Sequence, residues 1–173
     1  IKKIDAEFGK FTYKEVKHPE LPKEEPIKGI VTREVFGPNN ENVSVAFRTG
    51  GIGTDDQKYI TLIDMILANS SAGLMDLNLN QKQLVQNATS SPFFQNDYGT
   101  LTFSGTPKAD QSLDEVKDLM LAQAEKIKAG EFDDWMIEAV VNDLKLSQTR
   151  QYENSTALAS MYYNAFIHNE NWN

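Results

Sequence analysis

The sequence predicts an α+β domain in which an antiparallel sheet is covered on one face by helices. Three observations carry this. Strand-like alternation recurs in the first two thirds of the chain, and three consecutive helical periods close it. The connections between strands are of hairpin length, too short for the crossovers that a parallel sheet requires. A chain of 173 residues with 40% hydrophobic content also holds enough apolar material for one core.

Taken in order, 1-IKKIDAEFG-9 reads as the end of a helix stopped by Gly9, and 14-KEVKHPELPKEEPIKG-29 as an extended linker. Pro19, Pro22 and Pro26 within that linker forbid both a helix interior and a central strand. Residues 1–28 are thus expected to be the tail of a preceding domain plus a proline-rich linker, and 29–173 a single α/β module. Two strands, 30-IVTREVF-36 and 43-VSVAFRT-49, flank the turn 37-GPNNEN-42 and read as a hairpin. A helix over 54–68 carries Ile60, Ile63 and Leu67 at helical spacing, and 72-AGLMDLNL-79 suggests a shorter one. Strands are expected at 82-KQLVQNATS-90 and 98-YGTLTFSGT-106. Three helices follow: one opened by Ser112 and Glu115 as a capping box and closed at Gly130, one over about 133–151, and one carrying Leu158, Met161, Tyr162, Ala165 and Phe166.

Composition excludes several chemistries. A net charge of −8 with scattered basic residues argues against nucleic acid or an anionic membrane as partner, because an acidic surface repels phosphate. The absence of cysteine removes disulfides, thiolate zinc sites and cysteine nucleophiles. No apolar run in this segment approaches the roughly 20 residues of a membrane-spanning helix.

The loop in 48-RTGGIGTDDQKY-59 has the glycines of a phosphate cradle but not their spacing, and no lysine follows. Thr54 and Gln57 match a capping box, while Asp55 and Asp56 would answer the helix dipole and repel an anion. His18 and His168 lie far apart in sequence, and His168 with Glu170 offers at most a ligand pair. The carboxylate pairs Asp55–Asp56, Asp114–Glu115 and Asp133–Asp134 fall where helices begin, so dipole compensation explains them. No catalytic residue and no metal ligand is assigned. Phe93 and Phe94, in the polar loop 89-TSSPFFQNDYG-99, are candidates for contact with a partner or another domain, since neighbours on an extended chain point to opposite sides; the favoured alternative is that both pack beneath the loop.

The order of these pieces resembles the non-catalytic module of the pitrilysin/insulinase zinc peptidases, a family that includes the mitochondrial processing peptidase. The matching stretches are 7-EFGKF-11, the proline-rich linker, 43-VSVAFRTGG-51, 54-TDDQKYITLIDMILANSSAGLM-75, 98-YGTLTFSGTPK-108, 112-SLDEVKDLM-120 and 128-KAGEFDDWMIEAVVNDLK-145. The likeness is closest to the module directly after the catalytic one, and it covers nearly the whole chain.

The resemblance implies two halves enclosing a chamber, with zinc held elsewhere in the parent by an inverted His-x-x-Glu-His motif that this chain lacks. It implies as partners the preceding catalytic module, the other modules of the parent chain and a peptide substrate. The Arg and Tyr that substrate-gripping modules carry after the short helix are missing from 80-NQKQLVQNATS-90. A chamber-wall role is therefore expected rather than transition-state binding. The alternative is a structural or assembly protein of the same fold, as in the respiratory-chain core proteins, whose parent also lacks the zinc motif. For a bacterial source the expected compartment is the periplasm or cell envelope.

Overall fold

The computed structural model describes residues 2–17, 22–168 and 170, and contacts divide the chain into two units, Ile1–Gly37 and Pro38–Asn173. The first unit contains α1 (Lys2–Phe8), which ends as Gly9 N–H donates to Asp5 O, and Phe8 and Phe11 stack at a tilt 6.2 Å apart. Every described residue of this unit is exposed. His18 lies outside the described residues.

The second unit is the α/β module. Its elements are β1 (Val43–Gly50), α2 (Asp55–Leu67), a π-helical turn (Asp76–Asn80), β2 (Asn87–Phe94), β3 (Tyr98–Thr106), α3 (Leu113–Ala129), α4 (Asp134–Glu153) and α5 (Ser155–His168). The strands form one antiparallel sheet in the order β1-β3-β2, with Phe103 opposite Val45 on one side and Ser90 on the other. Strand β3 alternates between buried and half-buried positions, which places Leu101, Phe103 and Gly105 against the helices.

Helices α2 and α3 cross one face of the sheet. Between them and the strands, Leu67, Met75, Leu79, Val85, Ala88, Leu101, Phe103, Val116 and Met120 form the main core. Helix α2 has a second apolar side. Ile66, with Leu62 and Met65, meets Met136 and Val140 of α4 in a smaller cluster that also takes Leu74. Ile60, Ile63 and Leu67 face the main core while Leu62, Met65 and Ile66 face the second cluster, so α2 is sandwiched rather than solvated on that side.

Several expectations need correction. Residues 30–36 form no strand, and Ile30, Val31, Val35 and Phe36 are exposed. Alternation shows that a segment is able to pair, but a strand exists only where a partner takes its hydrogen bonds, and among the described residues no strand pairs with 30–36. The strand expected at 82–90 begins at Asn87 and runs through Phe94, so Phe93 and Phe94 sit on a strand and only residues 95–97 form the turn. Pro92 is compatible with β2 because β2 is an edge strand. The helix expected over 72–79 is largely a π turn, held by Leu84 N–H to Leu79 O and Gln81 N–H to Asp76 O.

Candidate functional site

The face of the sheet away from α2 and α3 carries a row of small polar side chains. In register, Ser44, Ala46 and Arg48 of β1 stand beside Ser104, Thr102 and Thr100 of β3, which in turn neighbour Thr89, Ser91 and Phe93 of β2. These are mostly small hydroxyl side chains, so the backbone of the sheet is approachable from this side. Ser44 Oγ and Ser104 Oγ are 3.2 Å apart, and the Arg48 guanidinium lies 5.2 Å from the centre of the Tyr98 ring. Phe93 is 62% exposed on this face. Phe94 points the other way and is half-buried, its ring so close to Gly99 that a Cβ there would lie 2.6 Å from Phe94 Cδ1. The two phenylalanines therefore part company: one serves packing and the other is presented to whatever meets the open face.

The glycine loop is a closed junction. Gly50 N–H donates to Asp56 Oδ2 at 2.8 Å, Gly53 N–H to Gln57 Oε1 at 2.8 Å, and Ile52 N–H to Gln95 O at 2.9 Å. With those amides taken, no nest remains for a phosphate. The Thr54 hydroxyl donates to Gly51 O at 2.6 Å and makes no cap on α2, so the expected capping box does not form; Asp56 and Gln57 instead tie the loop amides of Gly50 and Gly53 to the helix start. Glycine is required at two positions for different reasons. Gly53 has φ +78°, and a Cβ on Gly51 would lie 2.3 Å from Asn96 O in the β2–β3 turn.

The remaining candidates have structural employment. His168, at the end of α5, donates from Nδ1 to Asn96 Oδ1 at 2.7 Å, which pins α5 to the same turn and does not bring His168 to a carboxylate cluster. Asp55 pairs with Lys58 and Asp114 with Lys117, whose contact holds the Asp114 carboxyl below its ordinary range. Asp133 Oδ2 accepts from Trp135 Nε1 at 3.0 Å. Ser112 Oγ caps α3 by accepting from Glu115 N–H at 3.2 Å.

The pattern reading missed a buried polar cluster. Asp76 Oδ2 accepts from Asn69 N–H and Gly73 N–H, at 3.0 and 3.1 Å. Asn80 brackets Ala88 with its carboxamide, donating to Ala88 O and accepting from Ala88 N–H, both at 2.8 Å. Asn80 thereby substitutes for a neighbouring strand at the outer edge of β2. The signal was an aspartate and an asparagine inside an otherwise apolar helical pattern. A cavity of about 300 Å³ opens beside them, lined by Ser70, Ser71, Gln81, Asn87 and Thr89 as well. Its two most buried polar side chains are already spent on the main chain.

The family model for the peptidase M16 inactive domain matches residues 1–144. The chain belongs to that family. Among solved structures, a protease from Helicobacter pylori is 17% identical with a TM-score of 0.69, the match covering 74% of this chain and 31% of that one. The inactive peptidase domain of a proposed zinc protease from Bordetella parapertussis is 15% identical with a TM-score of 0.64, over 76% of this chain and 73% of that one. A proposed zinc protease from Bordetella pertussis Tohama I is 14% identical with a TM-score of 0.63, over 78% and 75%. At these identities the structural likeness speaks for the fold. The chain spans under a third of the Helicobacter protein, 31%. No curated protein matches it in sequence.

An M16 inactive domain is therefore what the α+β layers build. Among the described residues no group of three or more His, Cys, Asp or Glu side chains is placed to hold a metal ion, and the chain has no cysteine. Nor is any helix of the described residues long and apolar enough to cross a membrane.

One titratable group of this inactive domain is held off its ordinary range by the core. Asp64 on α2 lies against Ser90 of β2, where burial raises its carboxyl pKa and the Ser90 hydroxyl partly opposes the rise. Neither Asp64 Oδ1 nor Ser90 Oγ completes a hydrogen bond. Because the folded-state pKa is above the unfolded one, the native state binds the proton more readily. The contribution of this one group to stability is thus greatest below the ordinary carboxylate value of 3.8 and is lost as pH rises through the raised value. Asp64→Asn is expected to stabilise the module at pH 7 by no more than about 1 kcal/mol, since remaining solvent access screens the cost. Urea titrations of both proteins at pH 7 and near pH 3.5 should show that gain shrinking at the lower pH.

Proposed function

We propose that this M16 inactive domain is a catalytically silent module of a zinc-dependent metallopeptidase, and that it forms part of the wall of a chamber enclosing a peptide. The open face of its sheet is turned toward that peptide. The observation that carries this reading is the asymmetry of the sheet: α2 and α3 pack on one face, while the other presents small hydroxyls with Phe93 exposed among them. Such a surface admits a chain of varied side chains, because it offers hydrogen bonding and one apolar contact without a deep pocket that would select one residue. Family membership supports a module of a peptidase, and the zinc would be held by the preceding catalytic module of the parent.

The test separates module from parent. This 173-residue chain is expected neither to bind stoichiometric zinc nor to cleave peptides, while the full-length protein does both. In the full-length protein, Phe93→Ala is expected to raise KM for peptides about threefold to tenfold, at 0.6–1.4 kcal/mol, with the melting temperature nearly unchanged. One tightly bound zinc per isolated chain would sink the proposal, and an unaltered KM would remove the assignment of the open face.

A further inference from the structure

We infer that Arg48 and Phe93 form a two-point subsite on the open face of the sheet, one that prefers peptides carrying a carboxylate side chain two residues from an apolar one. The inference deepens the reading that this face meets a peptide, and it rests on that reading. Arg48 is the sole Asp, Glu, Lys or Arg in the three strands, in a chain whose net charge is −8. Its neighbour Phe47 meets Phe103 of the main core with ring centres 5.4 Å apart, so alternation puts Arg48 on the opposite, open face. A single cation among neutral hydroxyls sets the sign of that face, and the complementary group is an anion.

The geometry suits two adjacent contacts. The guanidinium lies 5.2 Å from the centre of the Tyr98 ring, a contact that steadies the cation without using its N–H donors. In register, Arg48 and Phe93 flank Thr100 from either side, so two strand spacings, about 10 Å in all, separate their backbones. An extended peptide shows residues i and i+2 on one side, about 7 Å apart, and the reach of two long side chains takes up the difference. Its apolar residue then rests on the exposed Phe93 ring while its carboxylate meets Arg48, with Thr100 between them.

The surroundings decide which anion. A terminal α-carboxylate is ordinarily captured by a nest of backbone amides, and the glycine loop that follows Arg48 is where one would form. Its amides are taken: Gly50, Ile52 and Gly53 N–H donate to Asp56, Gln95 and Gln57. A chain of phosphates, or a phosphorylated side chain, calls for a cluster of cations that one arginine does not supply. A side-chain carboxylate needs a single guanidinium, whose fork matches its two oxygens. The preference falls on one position of the peptide and leaves the rest of the hydroxyl face unselective.

The test is fluorescence polarisation on the full-length protein in the presence of a metal chelator, which keeps any peptidase activity silent. The probes are short labelled peptides of Gly, Ser and Ala with both ends blocked, carrying one Leu and, two residues on, either Glu or Gln. The Glu peptide is expected to bind the wild type about tenfold more tightly, a margin that shrinks with added salt. Arg48→Gln should make the two peptides equal, Arg48→Lys should keep part of the margin, and Phe93→Ala should weaken both alike. Equal binding of the two peptides to the wild type would overturn the inference without calling on any variant; if Phe93→Ala still weakened both, the peptide-facing sheet would stand. A margin that survives Arg48→Gln would overturn it as well, as would tighter Arg48-dependent binding of the Gln peptide with its terminal carboxylate unblocked. Glu-selective, Arg48-dependent binding by a full-length protein that cleaves no peptide once zinc is restored would sustain this inference and overturn the proposed peptidase.

Discussion

Asp76→Ala is expected to destabilise the module by about 3 kcal/mol, since it removes two hydrogen bonds to a buried carboxylate and strands their donors. Asp76 is 9% exposed, and its Oδ2 gathers the amides of Asn69 and Gly73, closing the turn by which the chain leaves α2 and enters the π turn. Alanine fills none of that volume and satisfies neither N–H. The same carboxylate stands 3.5 Å from Asn80 Nδ2, so its loss also loosens the side chain that holds Ala88 at the outer edge of β2. Thermal unfolding of a domain of this size should fall by roughly 10 °C. Asp76→Asn keeps one acceptor and should cost about half as much. A loss under about 1 kcal/mol for the alanine variant would show that water takes over the carboxylate's role.

Gly105→Val is expected to cost about 3 kcal/mol by overpacking. Gly105 lies in the middle strand opposite Val43 and Ala88, where α3 approaches most closely. A Cβ there would lie 2.5 Å from Val116 Cγ1 and 2.9 Å from Met120 Sδ. Both neighbours are fully buried, so neither has room to withdraw, and α3 must lift from the sheet. The added β propensity of valine does not compensate, because strand preference is worth at most about 1 kcal/mol. Adding Val116→Ala should recover part of the loss, with a coupling of at least about 1 kcal/mol in the double-mutant cycle measured by urea unfolding. Strict additivity would show that the cost lies elsewhere than in the helix–sheet contact.

How far the sequence could be read depended on the range of the interaction concerned. The Ser112–Glu115 cap and the stop at Gly130 were legible from capping, and the starts of α2 and α4 from periodicity, because both signals are settled within one or two turns of chain. Family resemblance was legible for the same reason, as an order of local pieces. The candidate site was only half legible. Adjacent aromatics at Phe93 and Phe94 raised the question of whether one faces away from the core, but placing them in a loop favoured packing of both and hid the strand that decides it. Asp76, Asn80 and Asp64 escaped because each is an isolated polar residue in a helical pattern, and its burial is a property of what lies across from it.

By itself, then, the sequence determined the helices, the antiparallel class of the sheet, the lack of a zinc-binding or nucleophilic motif, and the kinship with a non-catalytic peptidase module. Only the tertiary structure decided that β1 pairs with β3 rather than with residues 30–36, that Phe93 faces the open side and Phe94 the core, and that α2 is buried on two sides while α5 keeps an apolar stripe in water. The physical reason is the same in each case. Alternation and periodicity state which side chains share a face, whereas what covers that face is set by residues far away in the chain, through hydrogen-bond partners and close packing that no local pattern encodes.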